Sequence, residues 1–543
     1  MRESFRQCMA WLHTWTGLVA GWVLFFVFVT GTAGYFNYEI DRWMRPELPL
    51  ATASDLSSLD TRQAIEKAQA YLQANSPKAE FWNIGLPVER TQPQFSVFAR
   101  EARKPDGSAG RVHNAHYDPA GGDFTADSPA RATGGGQLLY RMHYLLHYVP
   151  DEAGIWAVGV CTMLMLIAIV SGVITHKKIF VDFFTFRRAK GQRSWLDAHN
   201  LVSVTALPFF IMITYSGLVF FMTDYMPAGV QASYQAGEAG RRQLLAELVP
   251  ASYIEPSGQA APLTALSDIV RQAERHWNGA PVSGMLVRNP GDASALVTVR
   301  AQREGRDAIG IPRLVFDGAT GEISEHNHWG GALETRDVLL SLHEGRFAGL
   351  SLRWLYFLAS LLGCAMIATG LVLWTAKRKA KQEKRLKAGQ SMEFGYRLVR
   401  CLNVGAIAGL PVAMAAYFWA NRLIPAEFAD RRAWEAHAMF IVWGVTLVYP
   451  AFRSHLQAWV DELRLAALAF ALLPLVNALT TQRHLGVTLP AGDWVLAGFD
   501  LVMLGLGAVF AYAAHEVSRK RKAPRQAPKN ARHGAGVQAG EAS

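Results

Sequence analysis

Cysteine is scarce in this chain: there are four in 543 residues, Cys8, Cys161, Cys364 and Cys401, and none stands in C-x-x-C or C-x-x-C-H. That excludes covalent attachment of a c-type haem, a zinc ribbon and a thioredoxin-like dithiol, and it gives no basis for a disulfide framework. No Gly-rich dinucleotide motif occupies the basic loops between the apolar runs. Acidic residues are few within those runs, which argues against a transporter that couples ions. The first apolar stretch, Leu18 to Phe36, outruns the core of a secretory signal and no A-x-A site follows it, so it reads as a retained helix.

What is present is apolar. Hydrophobic residues make up 51% of the chain and the mean hydropathy is +0.10, too apolar for an ordinary soluble enzyme and too polar to lie wholly in a bilayer. Eight spans are predicted, at roughly 16–36, 155–175, 201–222, 352–375, 398–420, 434–452, 463–480 and 494–514; about 20 residues cover the ~30 Å of hydrocarbon. The net charge of +10 implies no nucleic-acid partner, because Lys and Arg crowd beside the spans, as short cytoplasmic loops require. One such loop carries Lys177, Lys178, Arg187, Arg188, Lys190 and Arg193; another is the run K-R-K-A-K-Q-E-K-R-L-K after the fourth span. Both termini are therefore expected in the cytoplasm, with soluble segments at about 37–138 and 224–350 outside. The basic tail, 522–543, is expected to be disordered.

Landmarks recur at a nearly constant interval. His13 precedes Gly31 by 18 residues and His199 precedes Gly217 by 18. D-P-A-G-G-D-F at 118 returns as D-G-A-T-G-E-I at 317, Leu146-His147 as Leu342-His343, and I-V-S-G at 169 as I-A-T-G at 367. The offsets, 186, 199, 196 and 198 residues, predict two copies of a span–domain–span unit, 1–178 and 190–378. A four-helix bundle over 396–516 follows them. The expected fold is thus an α-helical polytopic membrane protein carrying two small α+β modules.

Histidines cluster at the span ends. Each alone reads as an interfacial anchor; repeated at matching depths, they invite another reading. His13 and His199 begin equivalent helices at the inner face, and His147 and His343 precede equivalent helices at the outer face. Two imidazoles from different helices flanking a flat apolar cofactor describe bis-histidine haem b ligation, with one haem near each face. Gly17, Gly21, Gly31 and Gly34 on the first helix would admit a close approach. The residues leave the partners open: His176 competes with His13 and His199, and His143 with His147. A directly bound metal would recruit a carboxylate or thiolate; Asp197 and Glu344 lie near His199 and His343, while His113, His116, His326 and His328 read first as solvated loop residues. His437, His455, His484 and His515 read as interfacial anchors.

The runs H-Y-L-L-H-Y-V-P, V-S-G-V-I-T-H-K-K-I-F-V-D-F-F-T-F-R and W-L-D-A-H-N through I-T-Y-S-G-L-V-F-F resemble the PepSY-associated transmembrane-helix proteins, bacterial inner-membrane proteins often described as iron-regulated, over about residues 5–378. The resemblance implies that the outer segments are PepSY-like periplasmic modules. It also implies that the chain passes electrons through two haems b to ferric iron or a ferric siderophore outside. Carried over by motif, His13, His176 and His199 go to the inner haem and His143, His147 and His343 to the outer one. Electrons would come from quinol or a separate donor. The competing expectation is a non-catalytic scaffold whose modules bind or restrain a periplasmic partner.

Overall fold

A computed structural model describes residues 4–48, 60–88, 94–102, 108, 110–118, 121–126, 130–176, 183, 186–187, 191–248, 254–302, 313–324 and 331–522. The basic tail, His326, His328 and much of the loop at 177–190 lie outside the described residues.

The chain opens with α1 (Phe5–Gly34), started by a capping box in which Ser4 and Gln7 satisfy each other's backbone N–H groups. The amphipathic α2 (Asn37–Met44) follows. Next come α3 (Thr61–Asn75), strands β1 (Ala79–Gly85), β2 (Ser96–Glu101), β3 (Val112–Asp118) and β4 (Asp123–Thr125), then α4 (Gly135–Leu145) and α5 (Asp151–Thr175). The second stretch runs through α6 (Gln192–Thr205), α7 (Leu207–Phe220), short helices over 222–248 and α8 (Leu266–His276). Strands β5 (Val282–Arg288), β6 (Leu296–Ala301) and β7 (Arg313–Asp317), then α9 (Gly331–Glu344) and α10 (Leu350–Lys387), complete it.

The two soluble segments are joined. Their strands form one seven-stranded antiparallel sheet in the order β4-β3-β2-β1-β5-β6-β7. The seam is β1 against β5, where Phe81 faces Arg288 and Asn83 faces Leu286. Both helices, α3 (through Ile65 and Leu72) and α8, pack on one face, over Trp82, Ile84, Met285, Val287 and Phe316. Pairing at the seam removes the exposed edge that each set of strands would otherwise present.

Among the described residues, six helices are long and apolar enough to cross a membrane, and the pair α6–α7, bent by 68°, makes a seventh. The bend falls at Ala206, because Pro208 in the second position of α7 has no N–H to continue the ladder. The remaining expected span, 434–452, covers most of α13 (Arg431–Val448) and runs on into the 3-10 turn Tyr449–Ala451; α13 begins with Arg431, Arg432 and Glu435 and leaves a short apolar stretch. Around α13 stand α11 (Phe394–Val404), a π-helix (Gly405–Gly409), α12 (Leu410–Leu423), α14 (His455–Ala471), α15 (Leu473–Thr480) and α16 (Trp494–Lys522).

This C-terminal bundle is bolted to the N-terminal half by buried polar contacts. Arg422 lies 3.6 Å over the Trp43 ring and donates to the Trp43 carbonyl (2.5 Å) and to Asn477 (2.8 Å). The Trp43 indole donates to Asp500 (3.0 Å). Glu435 accepts from Thr133 (2.5 Å), Asn421 (2.8 Å) and Arg431. Buried charges persist only when paired and hydrogen-bonded, and here the pairing crosses between the two halves.

Candidate functional site

Four imidazoles meet in two pairs. The His13 and His199 rings stand 6.1 Å apart, centroid to centroid, and those of His143 and His343 stand 6.0 Å apart. Along α1, His13 and the glycine beneath His143 are 18 residues apart, which places the pairs about 27 Å from each other at 1.5 Å per residue. The first pair lies toward the basic ends of the helices, the second toward the sheet.

All four rings are fixed in the same manner. His13 Nδ1 donates to the Ala168 carbonyl (2.8 Å), His143 Nδ1 to that of Val27 (2.7 Å), and His199 Nδ1 to that of Met366 (3.0 Å). His343 Nδ1 meets the Ser216 hydroxyl at 3.0 Å; that hydroxyl gives its own proton to Met212, so it accepts here. A carbonyl can only accept, so each Nδ1 carries the proton and each Nε2 keeps its lone pair. This is the outer-shell arrangement that readies a histidine to ligate.

Each ring also rests on a glycine of a neighbouring helix. A Cβ at Gly172 would stand 3.0 Å from His13, at Gly370 3.2 Å from His199, at Gly31 2.5 Å from His143 and at Gly217 3.0 Å from His343. These are the glycines of V-T-G, Y-S-G, I-V-S-G and I-A-T-G. The repeat exposes them in sequence, but their role as seats emerges only in three dimensions.

The first pair opens on a cavity of about 350 Å³. Its deep part is lined by Leu24, Met165 and Phe210, and its mouth by Trp374, Lys377 and Arg378. Gly17 faces open space there: a Cβ at this position would meet nothing within 4 Å. Ser203 Oγ and Trp374 Nε1, both on the cavity wall, are buried with no partner among the described residues. His176 sits at this mouth and accepts from Asn200 (2.9 Å); it does not face His13 or His199 as a ring partner.

His147 turns elsewhere. Beyond α4, Leu146 and Tyr148 take positive φ values of 55° and 67°, so the chain reverses around His147 and lays its ring on Phe440 of α13 (5.4 Å, 15°). His143, on the last turn of α4, faces His343 on the last turn of α9. Of the other candidates, Asp197 is held by Arg187 through two side-chain bonds (2.9 and 2.8 Å), and Glu344 accepts from Tyr140 (2.8 Å). His113 and His116 lie on β3, not in a loop; His113 meets the Tyr71 hydroxyl (3.0 Å), and burial with Arg45 nearby lowers the pKa of His116. Among the described residues no three His, Cys, Asp or Glu side chains converge as a metal-binding group.

The family model for the PepSY-associated TM region matches residues 10–377, which contain both imidazole pairs and the whole sheet. The chain belongs to the PepSY-associated transmembrane family. It is also similar to an uncharacterized protein of Pseudomonas aeruginosa, 23% identical over 396 residues, covering 70% of this chain and 86% of that protein. The PepSY-associated match ends before α11, so the C-terminal bundle lies beyond it.

Proposed function

We propose that this membrane protein holds two haems b, one at each imidazole pair, and passes electrons across the bilayer to ferric iron or a ferric siderophore at the sheet side. The observation that carries the reading is the common state of the four histidines: Nδ1 donated away, Nε2 free, and a facing ring about 6 Å distant. A metal atom about 2 Å from each of two Nε2 atoms sets ring centroids roughly 6 to 6.5 Å apart. His13 with His199, and His143 with His343, would hold the two groups. The cavity fits the basic-side group, with apolar walls at depth and Lys377 and Arg378 at the mouth for its carboxylates. Bound there, haem supplies one-electron redox chemistry. The protein's residues hold the rings, exclude water and set the tautomer.

In this reading the two span–domain–span stretches are copies of one unit, and their sheets are PepSY-like modules paired through β1 and β5. The basic ends face the cytoplasm of the inner membrane, the sheet stands in the periplasm, and quinol or a separate donor supplies electrons from the basic side. The test is the absorbance of the purified protein. A red protein whose pyridine haemochrome is b-type, at two haems per chain, supports the reading. A colourless protein after expression with ample haem overturns it, leaving a scaffold displaying the sheet.

A further inference from the structure

The C-terminal bundle contains one acid that no contact explains. Glu462 on α14 is 2% exposed, and neither carboxyl oxygen has a hydrogen-bond partner among the described residues. The other deeply buried acids of this bundle are engaged: Glu435 by Arg431 and Asn421, and Asp500 by Trp43 and Asn477. An ionised carboxylate with no partner costs several kcal/mol in such surroundings, and an ionisable group within a membrane span marks a functional site by default.

Its setting is unusual as well. Glu462 Oε2 lies 3.1 Å from the point where a Cβ on Gly409 would stand, and Thr446 Oγ1 crowds the same point more closely still. Gly409 ends the π-helix, a rare form concentrated at functional sites. The π-helix and the residues just ahead of it touch the N-terminal half at two depths, Phe26 beside the sheet-side pair and Leu371 beside the basic-side one. The Trp443 indole donates to the Gly405 carbonyl (3.1 Å) and its ring stacks on Phe26 of α1 (5.2 Å). Just ahead of the π-helix, buried Asn403 accepts from Trp22 of α1 (3.0 Å) and donates to the Leu371 carbonyl (3.0 Å) on the cavity wall.

We propose that Glu462 is a proton-exchange site of the C-terminal bundle, reached from the basic side through Asp461, and that its proton is linked to the redox state of the group that His13 and His199 would hold. The linkage rests on the haem reading above; the exchange site does not. The ligand is a proton rather than a metal cation, because one carboxylate falls far short of the six or more oxygens that hard cations recruit. The step is –COOH giving –COO⁻ and H⁺, the proton passing to the Asp461 carboxylate. That carboxylate sits in a polar cluster with Tyr449 (2.7 Å), Gln457 (2.5 Å) and Arg453 (3.1 Å). The Thr446 hydroxyl, now donating to the Trp443 carbonyl (2.9 Å), can turn to the anion left behind. Reduction of the group held there would add negative charge and favour the protonated acid; its oxidation would favour release.

The charged groups around Glu462 are otherwise occupied or turned away. On α14 and in the turn before it, Arg453 is bound to Asp461, Arg464 is exposed and His455 lies by Trp459. On α11, Arg400 lies over Tyr396 and Arg397 is exposed. On α12, Arg422 is bound to Asn477 and Asn421; on α16, Glu516 is paired with Arg519 and His515 is exposed.

Infrared spectroscopy of the full chain in lipid decides the matter. At neutral pH the wild type should show the carbonyl stretch of a protonated carboxyl, lost in Glu462→Gln, shifted in Glu462→Asp, and slower to exchange in D2O in Asp461→Asn. The same band should appear in the reduced-minus-oxidised difference spectrum. If Glu462→Gln removes no such band, the exchange site is wrong whatever the haem content. A static band that is silent to reduction overturns the linkage. Should Glu462→Gln not accumulate, the Glu462→Asp shift carries the assignment, and an unshifted band overturns it. A protein that binds no haem fails the earlier reading, while the static band still reports on Glu462.

Discussion

His143 faces His343 at 6.0 Å although 200 residues separate them in the chain. Each occupies the last turn of its helix, each gives its Nδ1 proton away, and each rests on a glycine of a span. Replacing either with Ala should therefore remove one haem's share of the b-type absorbance, about half, and leave the other. Replacing His147, whose ring lies on Phe440, should leave both. A pyridine haemochrome titration of the three variants checks this. Equal loss in all three would contradict the pairing.

The glycine seats give a test that spares the ligands. A methyl on Gly31 would press on His143 Nδ1 at 2.5 Å, closer than packed atoms tolerate. Gly31→Ala should lower occupancy at the sheet-side pair alone. Gly17 touches nothing, yet it faces the cavity, so Gly17→Leu should fill that space and lower occupancy at the basic-side pair alone. Gly444→Ala, with open space around it, serves as the control and should change neither haem, as read by difference spectra.

These seats also show how far the sequence can be read. Hydropathy marks the helices that can cross a bilayer, since twenty apolar residues have few other uses, and the equal spacing of His13 from Gly31 and of His199 from Gly217 aligns the two stretches, with His176 left as a rival at the basic side. The sheet-side partner is ambiguous in sequence because Leu-His occurs at both 146–147 and 342–343, a local likeness. What selects His143 is where α4 stops, and that depends on the left-handed conformations of Leu146 and Tyr148, which the sequence does not announce. The β1–β5 seam is equally hidden: alternation predicts a strand but not which distant strand completes its edge. The buried charges of α13 look like a span end because their partners, such as Thr133, lie about 300 residues away.

Glu435 and Arg431 are both fully buried and paired, and Glu435 also accepts from Thr133, Gly134 and Asn421. Removing one partner leaves the other charge without compensation, at a cost of about 3–5 kcal/mol. Glu435→Ala should lower the thermal unfolding midpoint in detergent markedly and loosen the contact between the two halves. Arg62→Ala, which removes an exposed pair with Glu66, should barely move it, because such pairs contribute about 0–1 kcal/mol.

The seam can be tested by cross-linking. Asn83 and Leu286 are direct partners across β1 and β5, and opposite residues in an antiparallel pair hold their Cβ atoms about 4.5–5.5 Å apart. That is near enough for two cysteines to join when the strands breathe slightly. Asn83→Cys with Leu286→Cys should form an intramolecular disulfide under mild oxidation, identified as a linked peptide by mass spectrometry. Asn83→Cys with Thr298→Cys, one strand further out by the β5–β6 register, should not. A disulfide in neither variant, with both proteins folded, would mean that the two sets of strands do not pair; equal linkage in both would mean that the register is not fixed.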